Sequence, residues 1–390
     1  MTIDNVEIVR NRISGVVVRA VDTRRGRRDF VNLPWLVHAA DPVWRPPLRR
    51  GVADGMRAAS NPFHAEADIA HFVAYRGGNE PVGRVAVTID HEYVHRYGDY
   101  GFFGFFDSVD DVGVADALLT TARRWAGDQG ASVLTGPYSY SPRHEMGLLV
   151  DGFDHSPTVM QPYNPPYYAT LLEECGFRRR FDTTTYRWSR EADAERAERL
   201  VARADKVLAS GRIRVRTPDM RRYDEELELL RRIYNDSFHD HPEHVPISAP
   251  VFGRIAADLK PVLDPELIRI VEIDGTACGF SMLVPDLNEV VPRSGRLTLP
   301  LLARLLCKKD NRIRGVDTAV VVMIGVAREQ MGLGAGRVVA GEIAKAVLSG
   351  RYRQVTTTWI HEHNHWSKAL VAQMKSPPSR RYRVYERAIE

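Results

Sequence analysis

Apolar and polar positions alternate with period two in short stretches such as "DIAHFVAYR" and "EPVGRVAVTID", which predicts strands, with "YGFFGFFDSV" following. A helical period then takes over in "VADALLTTARRWAGDQG", succeeded by a strand "SVLTGPYS", a helix "YYATLLEECGF" and a strand "TTTYRWS". One further helix is expected near "FVNLPWLVHAA". Residues 189–210, "SREADAERAERLVARADKVLAS", contain neither glycine nor proline and are dense in alanine and charge; they predict a solvated helix connecting two parts of the chain. Beyond it come a strand "RIRVRTP", helices near 224–238 and 248–263, and strands "LIRIVEID", "TACGFSMLVP" and "AVVVMIGVA". A helix over 336–349, a strand "QVTTTWIHEH", a helix "HWSKALVAQM" and a strand "RYRVYERA" complete the order.

The order of elements before the connector is repeated after it. The repetition extends to a gapped likeness between "YYATLLEECGFRRRFDTTTYRWS" and "WSKALVAQMKSPPSRRYRVYERA". The economical organisation is therefore two α+β units in tandem, 1–190 and 212–390, joined by a helical connector at 191–211. A length of 390 residues with 44% hydrophobic and 27% charged residues suits that arrangement, and a mean hydropathy of −0.30 is that of a soluble globular chain. The net charge is only +4, but arginines cluster in "TRRGRRDF" and "PPSRRYR", which permits an anionic ligand without requiring one. Arg24, Arg25, Arg27 and Arg28 read as a solvated loop, or as a contact for a nucleic-acid backbone or acidic lipid surface. Three scattered cysteines without a CxxC pair, no apolar run of membrane-spanning length and no signal-peptide core point to a cytoplasmic protein.

Together with the phrases "GFFGFFDS", "GPYSYSPRHEMGLLVDGF" and "YNPPYYATLLEECGF", the doubled order resembles a poorly characterised bacterial branch of the GNAT acyltransferase superfamily. The resemblance implies two tandem GNAT-like domains, each a mixed β-sheet splayed after its central strand and flanked by helices. It also implies an acyl-CoA co-substrate, no permanently bound cofactor, and an amine-like acceptor. In that superfamily an Arg/Gln-x-x-Gly-x-Gly/Ala turn receives the donor's pyrophosphate on backbone N–H groups. Here "GLGAGR" supplies Gly332, Leu333, Gly334, Ala335, Gly336 and Arg337 between a strand and a helix. The Arg/Gln position falls on Glu329, whose carboxylate would repel a pyrophosphate unless it turned outward. A backbone N–H near Ile324 to Val326 would polarise the thioester carbonyl. In the first unit the equivalent turn, "DSVDDVGVADALL", crowds Asp107, Asp110 and Asp111 around the site. Donor binding is accordingly expected in the second unit only.

Three residues are candidates for the chemistry. Glu362, near the mouth of the splayed strands, is either the base that takes the acceptor's proton or half of a surface salt bridge. Asn364 is a helix N-cap or a contact for the pantetheine arm. Asn288 lies with Asp286 and Glu289 in "VPDLNEVVP", a strand-end loop offering acceptor contacts or merely a solvated turn. Asn164 and Tyr167 are further candidates for an acceptor pocket. The last helix has no tyrosine to act as general acid, leaving Tyr382 and Tyr385 as core residues or substitutes.

"HEYVH" at 91–95 matches a zinc pattern only on a long helix, for which there is no room; with "HDHPEH" and "HEHNH" it reads as exposed or hydrogen-bonding histidine, and no metal is expected. Two other functions remain open on the same fold. One is aminoacyl transfer from charged tRNA to an amine or hydroxylamine, which needs no strict pyrophosphate motif. The other is a non-catalytic sensor or scaffold. No DNA partner is expected.

Overall fold

The computed structural model describes residues 10–11, 15–307 and 312–390. The first half runs β1 (Arg10–Asn11), β2 (Val16–Ala20), α1 (Arg24–Asn32), α2 (Pro34–Val37), α3 (Arg49–Gly55), β3 (Ala67–Arg76), β4 (Glu80–Asp90), α4 (His91–Tyr97) and β5 (Tyr100–Ser108). It continues with α5 (Val112–Asp128), β6 (Val133–Gly136), β7 (Leu148–Asp151), α6 (Tyr167–Glu174), β8 (Arg178–Thr185) and β9 (Arg187–Ser189). After α7 (Arg190–Leu208) come β10 (Ile213–Arg216), α8 (Tyr223–Ser237), α9 (Ala249–Leu259), β11 (Ile268–Ile273), β12 (Thr276–Pro285), α10 (Leu299–Leu306) and β13 (Thr318–Val326). The remainder is α11 (Ala335–Leu348), β14 (Gln354–Thr357), β15 (Ile360–His361), α12 (His365–Ala372) and β16 (Arg380–Ala388).

Two mixed sheets result. The first has the order β1-β2-β3-β4-β5-β6-β16-β8-β15, with β7 also alongside β16; the second has the order β10-β11-β12-β13-β14-β9. Among the described residues a single pair in each sheet is parallel, β5 with β6 and β13 with β14. The sheets exchange their last strands. β16, at the end of the chain, is inserted between β6 and β8 of the first sheet, pairing Tyr385 with Gly136 and Val384 with Phe181. In return β9 pairs antiparallel with β14, Val355 opposite Trp188. Boundaries at 190 and 211 are therefore crossed by both sheets. Period-two patterning sets which face of a strand is buried but not which strand it joins.

α7 is more than a solvated connector. Ser189 caps it by accepting from the Ala192 N–H, and Asp193, Ala197, Leu200 and Ala204 form a buried stripe facing α11. A Cβ on Gly341 would stand 2.3 Å from that of Ala204, so the glycine permits this close helix crossing. The core on the α8 and α9 side is shared by both halves, with Phe63, Ala67 and Tyr140 packed among Ile247, Phe252 and Val284. The arginines at 24–28 begin helix α1, where Arg25 pairs with Asp29 at 3.5 Å, instead of forming a loop.

Candidate functional site

β13 and β14 pair from Thr318–Gln354 to Val321–Thr357. The Thr358 N–H still reaches the Val321 carbonyl at 3.1 Å. Beyond that point the strands part, because the chain after β14 crosses to the first sheet, where Ile360 and His361 pair with Thr184 and Thr183. On the other side of β13 the register slips between Met282 and Leu283, whose partners are Met323 and Val321; Val322 is the extra residue of a bulge. Ile324 and Val326, both half-buried, thus stand on the free arm of a V-shaped opening.

From the end of that arm the chain turns into α11. Gly332 and Gly334 have φ of 88° and 105°, left-handed values that favour glycine. The N–H groups of Gly332, Gly334, Ala335 and Gly336 have no acceptor among the described residues. Leu333 and Arg337 are exposed, and Ala335 is buried. Val338, Val339 and Val347 anchor the helix behind the turn. Gly334 also packs against α7, where a Cβ would stand 2.7 Å from Val207 Cγ1, whereas nothing lies within 4 Å of a Cβ on Gly332 or Gly336. Neither Glu329 nor Arg337 has an ion-pair partner among the described residues. Arg328 is tied to Asp236, its N–H at 2.8 Å and its Nε at 3.1 Å from the carboxylate.

The corresponding place in the first unit is filled. Asp111 caps α5, accepting from the Gly113 N–H at 2.8 Å, and is ion-paired with Arg76. Asp107 is buried among Arg84 (2.7 Å), His38 (2.9 Å) and the Tyr168 hydroxyl (3.1 Å). Burial alone would raise its carboxyl, but Arg84 and then His38 outweigh this and hold it below the ordinary value. The opening between β5 and β6 is occupied by the protein's own backbone: the Tyr138 N–H donates to the Phe103 carbonyl at 2.8 Å, and a Cβ on Gly104 would fall 1.3 Å from the Tyr138 oxygen.

The other candidates are dispersed. Glu362 is ion-paired with Arg179 of β8, and Asn364 caps α12 by accepting from the Ser367 N–H at 2.9 Å. Asp286, Asn288 and Glu289 sit at the opposite end of β13 from the glycine turn. At about 3.4 Å per residue the strand separates them from it by roughly 27 Å. There Asp286 accepts from the N–H groups of Val159 (2.9 Å) and Asn288 (3.1 Å), Asn288 donates to the Pro157 carbonyl, and Glu289 accepts from Asp317 N–H at 2.6 Å. Burial pushes the Asp286 carboxyl up to about 7. Glu289 borders an open cavity of about 690 Å³ that Arg190, Asp317 and Arg353 also line. Asn164 holds both backbone groups of Leu149, and the Tyr167 hydroxyl donates to the Ser108 carbonyl at 2.8 Å; both lie in the first unit. "HEYVH" does form a helix, α4, but one of seven residues with His91 bound to Asp68, and no metal-binding group of three side chains occurs among the described residues. Tyr382 and Tyr385 are buried in the first sheet, Tyr385 donating to Glu173 at 3.0 Å.

Two histidine motifs that look unrelated in sequence converge. His241, in the loop after α8, lies 5.2 Å from His361 between ring centroids, and His361 lies 5.4 Å from His363. The single sequence signal was the histidine density of "HDHPEH" and "HEHNH"; only the fold brings them to one place.

A doubled mixed sheet, each half with one short parallel pair, of which the second parts beside a glycine turn that opens into a helix, defines a tandem protein of the GNAT acyltransferase fold. The solved structures agree. A tandem GNAT protein from the clavulanic acid biosynthesis pathway superposes with a TM-score of 0.54 at 15% identity, covering 96% of this chain and 98% of that one. A probable N-acyltransferase from Enterococcus faecalis gives 0.52 at 10% identity, over 96% and 73% of the two chains. No family model matches the sequence. Among curated proteins, Protein YghO of Escherichia coli (strain K12) is 30% identical over 379 residues, 96% of this chain and 95% of its own. The bacterial ceramide synthase of Caulobacter vibrioides is 32% identical over 379 residues, 95% of this chain and 96% of its own. The chain belongs to the family of these two proteins, and its fold is that of tandem GNAT proteins. No helix among the described residues is long and apolar enough to cross a membrane.

Proposed function

We propose that the chain transfers a long-chain acyl group from coenzyme A to the amino group of a long-chain amino alcohol. The observation that carries the donor half is the glycine turn: four unpaired N–H groups at the start of α11, beside the free arm of β13, suit a pyrophosphate. With the donor laid along the opening, its thioester carbonyl falls against the backbone of residues 322–326, where an N–H polarises it for attack by the amine. Arg337 adds positive charge that has no other partner among the described residues.

The acceptor half rests on the likeness to the bacterial ceramide synthase and on an apolar slot between α8 and α9. Leu227, Leu230, Phe252, Ile255 and Met282 line this slot, which reaches Met323 one residue beyond the bulge. The lining is apolar and its free space is only about 50 Å³, so an alkyl chain would enter by parting α8 from α9.

The test incubates the protein with acetyl-CoA, palmitoyl-CoA or charged tRNA and a sphingoid base, reading thiol release and amide formation by mass spectrometry. Thiol release with palmitoyl-CoA and an N-acylated product is the expected result. Absence of transfer from either thioester overturns the reading, and product formed from charged tRNA alone replaces it with aminoacyl transfer.

A further inference from the structure

The loop after α8 bridges the mouth of the opening. At one arm, Arg328, just past the end of β13, binds Asp236 and approaches His239 Nδ1 at 3.3 Å. At the other, His241 meets His361, which lies three residues past Thr358, the last contact between the arms. Each of the two imidazoles has its Nδ1 engaged in a way that fixes its tautomer. His241 Nδ1 lies 2.6 Å from the Pro242 carbonyl, a pure acceptor, so this nitrogen carries the proton and Nε2 of the neutral ring is left with a lone pair. His361 Nδ1 accepts the His363 backbone N–H at 3.0 Å, so its proton resides on Nε2. Both Nε2 atoms are buried, and neither has a hydrogen-bond partner among the described residues.

A buried acceptor and a buried donor on neighbouring rings, both unsatisfied, are costly unless a ligand completes them. A group that can itself give and take a hydrogen bond does so, and an amine or amino alcohol is such a group. Burial lowers the affinity of both rings for a second proton, His361 down to about 3, so both are neutral near pH 7. The charged and titratable groups facing them are His363 beyond the strand end, His244 from the same loop, and Arg180 from β8. Arg180 is itself paired with Glu243 at 2.8 Å.

We propose that His241 and His361 form the acceptor's catalytic pair: His241 Nε2 takes a proton from the attacking nitrogen while His361 Nε2–H donates to the acceptor's neighbouring hydroxyl. The inference rests on the acyltransferase reading above and assigns to His241 the base role that the sequence suggested for Glu362. In the balanced step the ammonium first gives one proton to His241, which passes it to solvent. The amine nitrogen then bonds to the thioester carbon, the carbon–sulfur bond breaks with its electron pair going to sulfur, and the nitrogen's second proton moves through His241 to the thiolate. One amide, one free thiol and one released proton result.

The test measures transfer from palmitoyl-CoA to a sphingoid base, together with palmitoyl-CoA binding by calorimetry and thermal melting. His241→Gln keeps an acceptor atom but no base, and should lower kcat by about a hundredfold with unchanged thioester affinity. His241→Ala should recover activity when free imidazole is added. His361→Gln, whose amide N–H stands near the place of Nε2–H, should retain more activity than His361→Leu and a lower KM for the amino alcohol. A wild-type protein that transfers, with a His241→Gln variant within threefold of it, overturns this proposal alone. A wild-type protein that transfers from no thioester overturns the functional reading, and this inference with it. Nitrogen-15 spectra of labelled histidine give a readout independent of activity: Nδ1–H for His241 and Nε2–H for His361 are expected, and the reverse tautomers would remove the pair.

Discussion

The two strand-to-helix junctions of this molecule descend through the same geometry and end in opposite chemistry. At the start of α5 the helix N-terminus is satisfied by Asp111 from the protein itself, and the strand opening beside it is filled by the backbone of Tyr138. At the start of α11 the same place holds four N–H groups without acceptors among the described residues, and an arm of strand paired with β12 on one side but no longer with β14 on the other. A carboxylate cap and a bound phosphate are alternative solutions to one physical problem, the orphan donors of a first helical turn. One junction solves it internally. The other leaves it open for a ligand.

The largest change expected from breaking this contrast is structural. Asp107→Asn removes the charge that Arg84 and His38 surround, leaving a buried guanidinium uncompensated. A loss of about 3–5 kcal/mol in unfolding free energy at pH 7 is expected by denaturant titration. Because the Asp107 carboxyl is held below its unfolded value of roughly 3.9, its contribution is present above about pH 4 and is lost as pH falls through the folded value. The variant should lack that acid-side decline.

At the open junction, Gly336→Asp places a carboxylate in the first turn without a clash, since nothing lies within 4 Å of the added Cβ. At about 5 Å from a phosphate and an effective dielectric of 20, the repulsion is about 3 kcal/mol. Calorimetry should show coenzyme A binding weakened by a hundredfold or more, with melting temperature little changed. Arg337→Ala removes a single exposed charge and should weaken binding by about fivefold, roughly 1 kcal/mol. Glu329→Gln should tighten it by about two- to fivefold, because an exposed like charge costs on the order of 0.5–1 kcal/mol. The variant with no expected effect on coenzyme A sharpens the comparison from the other side: Asp111→Ala should cost about 1 kcal/mol of stability through the lost cap and leave coenzyme A affinity where it was. A gain of a second coenzyme A site in that variant would mean that the cap alone, and not the filled opening, closes the first junction.

Local structure was legible where period and capping decide it. The helix expected at 336–349 spans Ala335–Leu348, and the segment expected at 189–210 is helical over Arg190–Leu208. The doubling of the fold was legible from the repeated order of elements. The helix His91–Tyr97 was missed because a seven-residue helix between strands leaves barely two turns of pattern to read. The exchanged strands could not be seen, because the same alternating residues in β16 would bury one face in either sheet. At the site, the glycine turn announced itself, while Asn164 and Asn364, polar residues next to helix starts, proved to hold backbone groups. The meeting of His241 with His361 depends on a crossing of the chain between sheets that no local pattern encodes.

The exchange of last strands also sets a timetable for the nascent chain. During synthesis β6 and β8 leave the ribosome long before β16, the strand that fills the gap between them. Until about residue 388 emerges, the first sheet keeps two open edges, the kind of surface that invites pairing with other chains. The second sheet has the opposite history, since β9 is already waiting when β14 arrives. A ribosome that stalls or a protease that clips ahead of residue 380 therefore damages the first half of the protein, although every residue lost lies in the second.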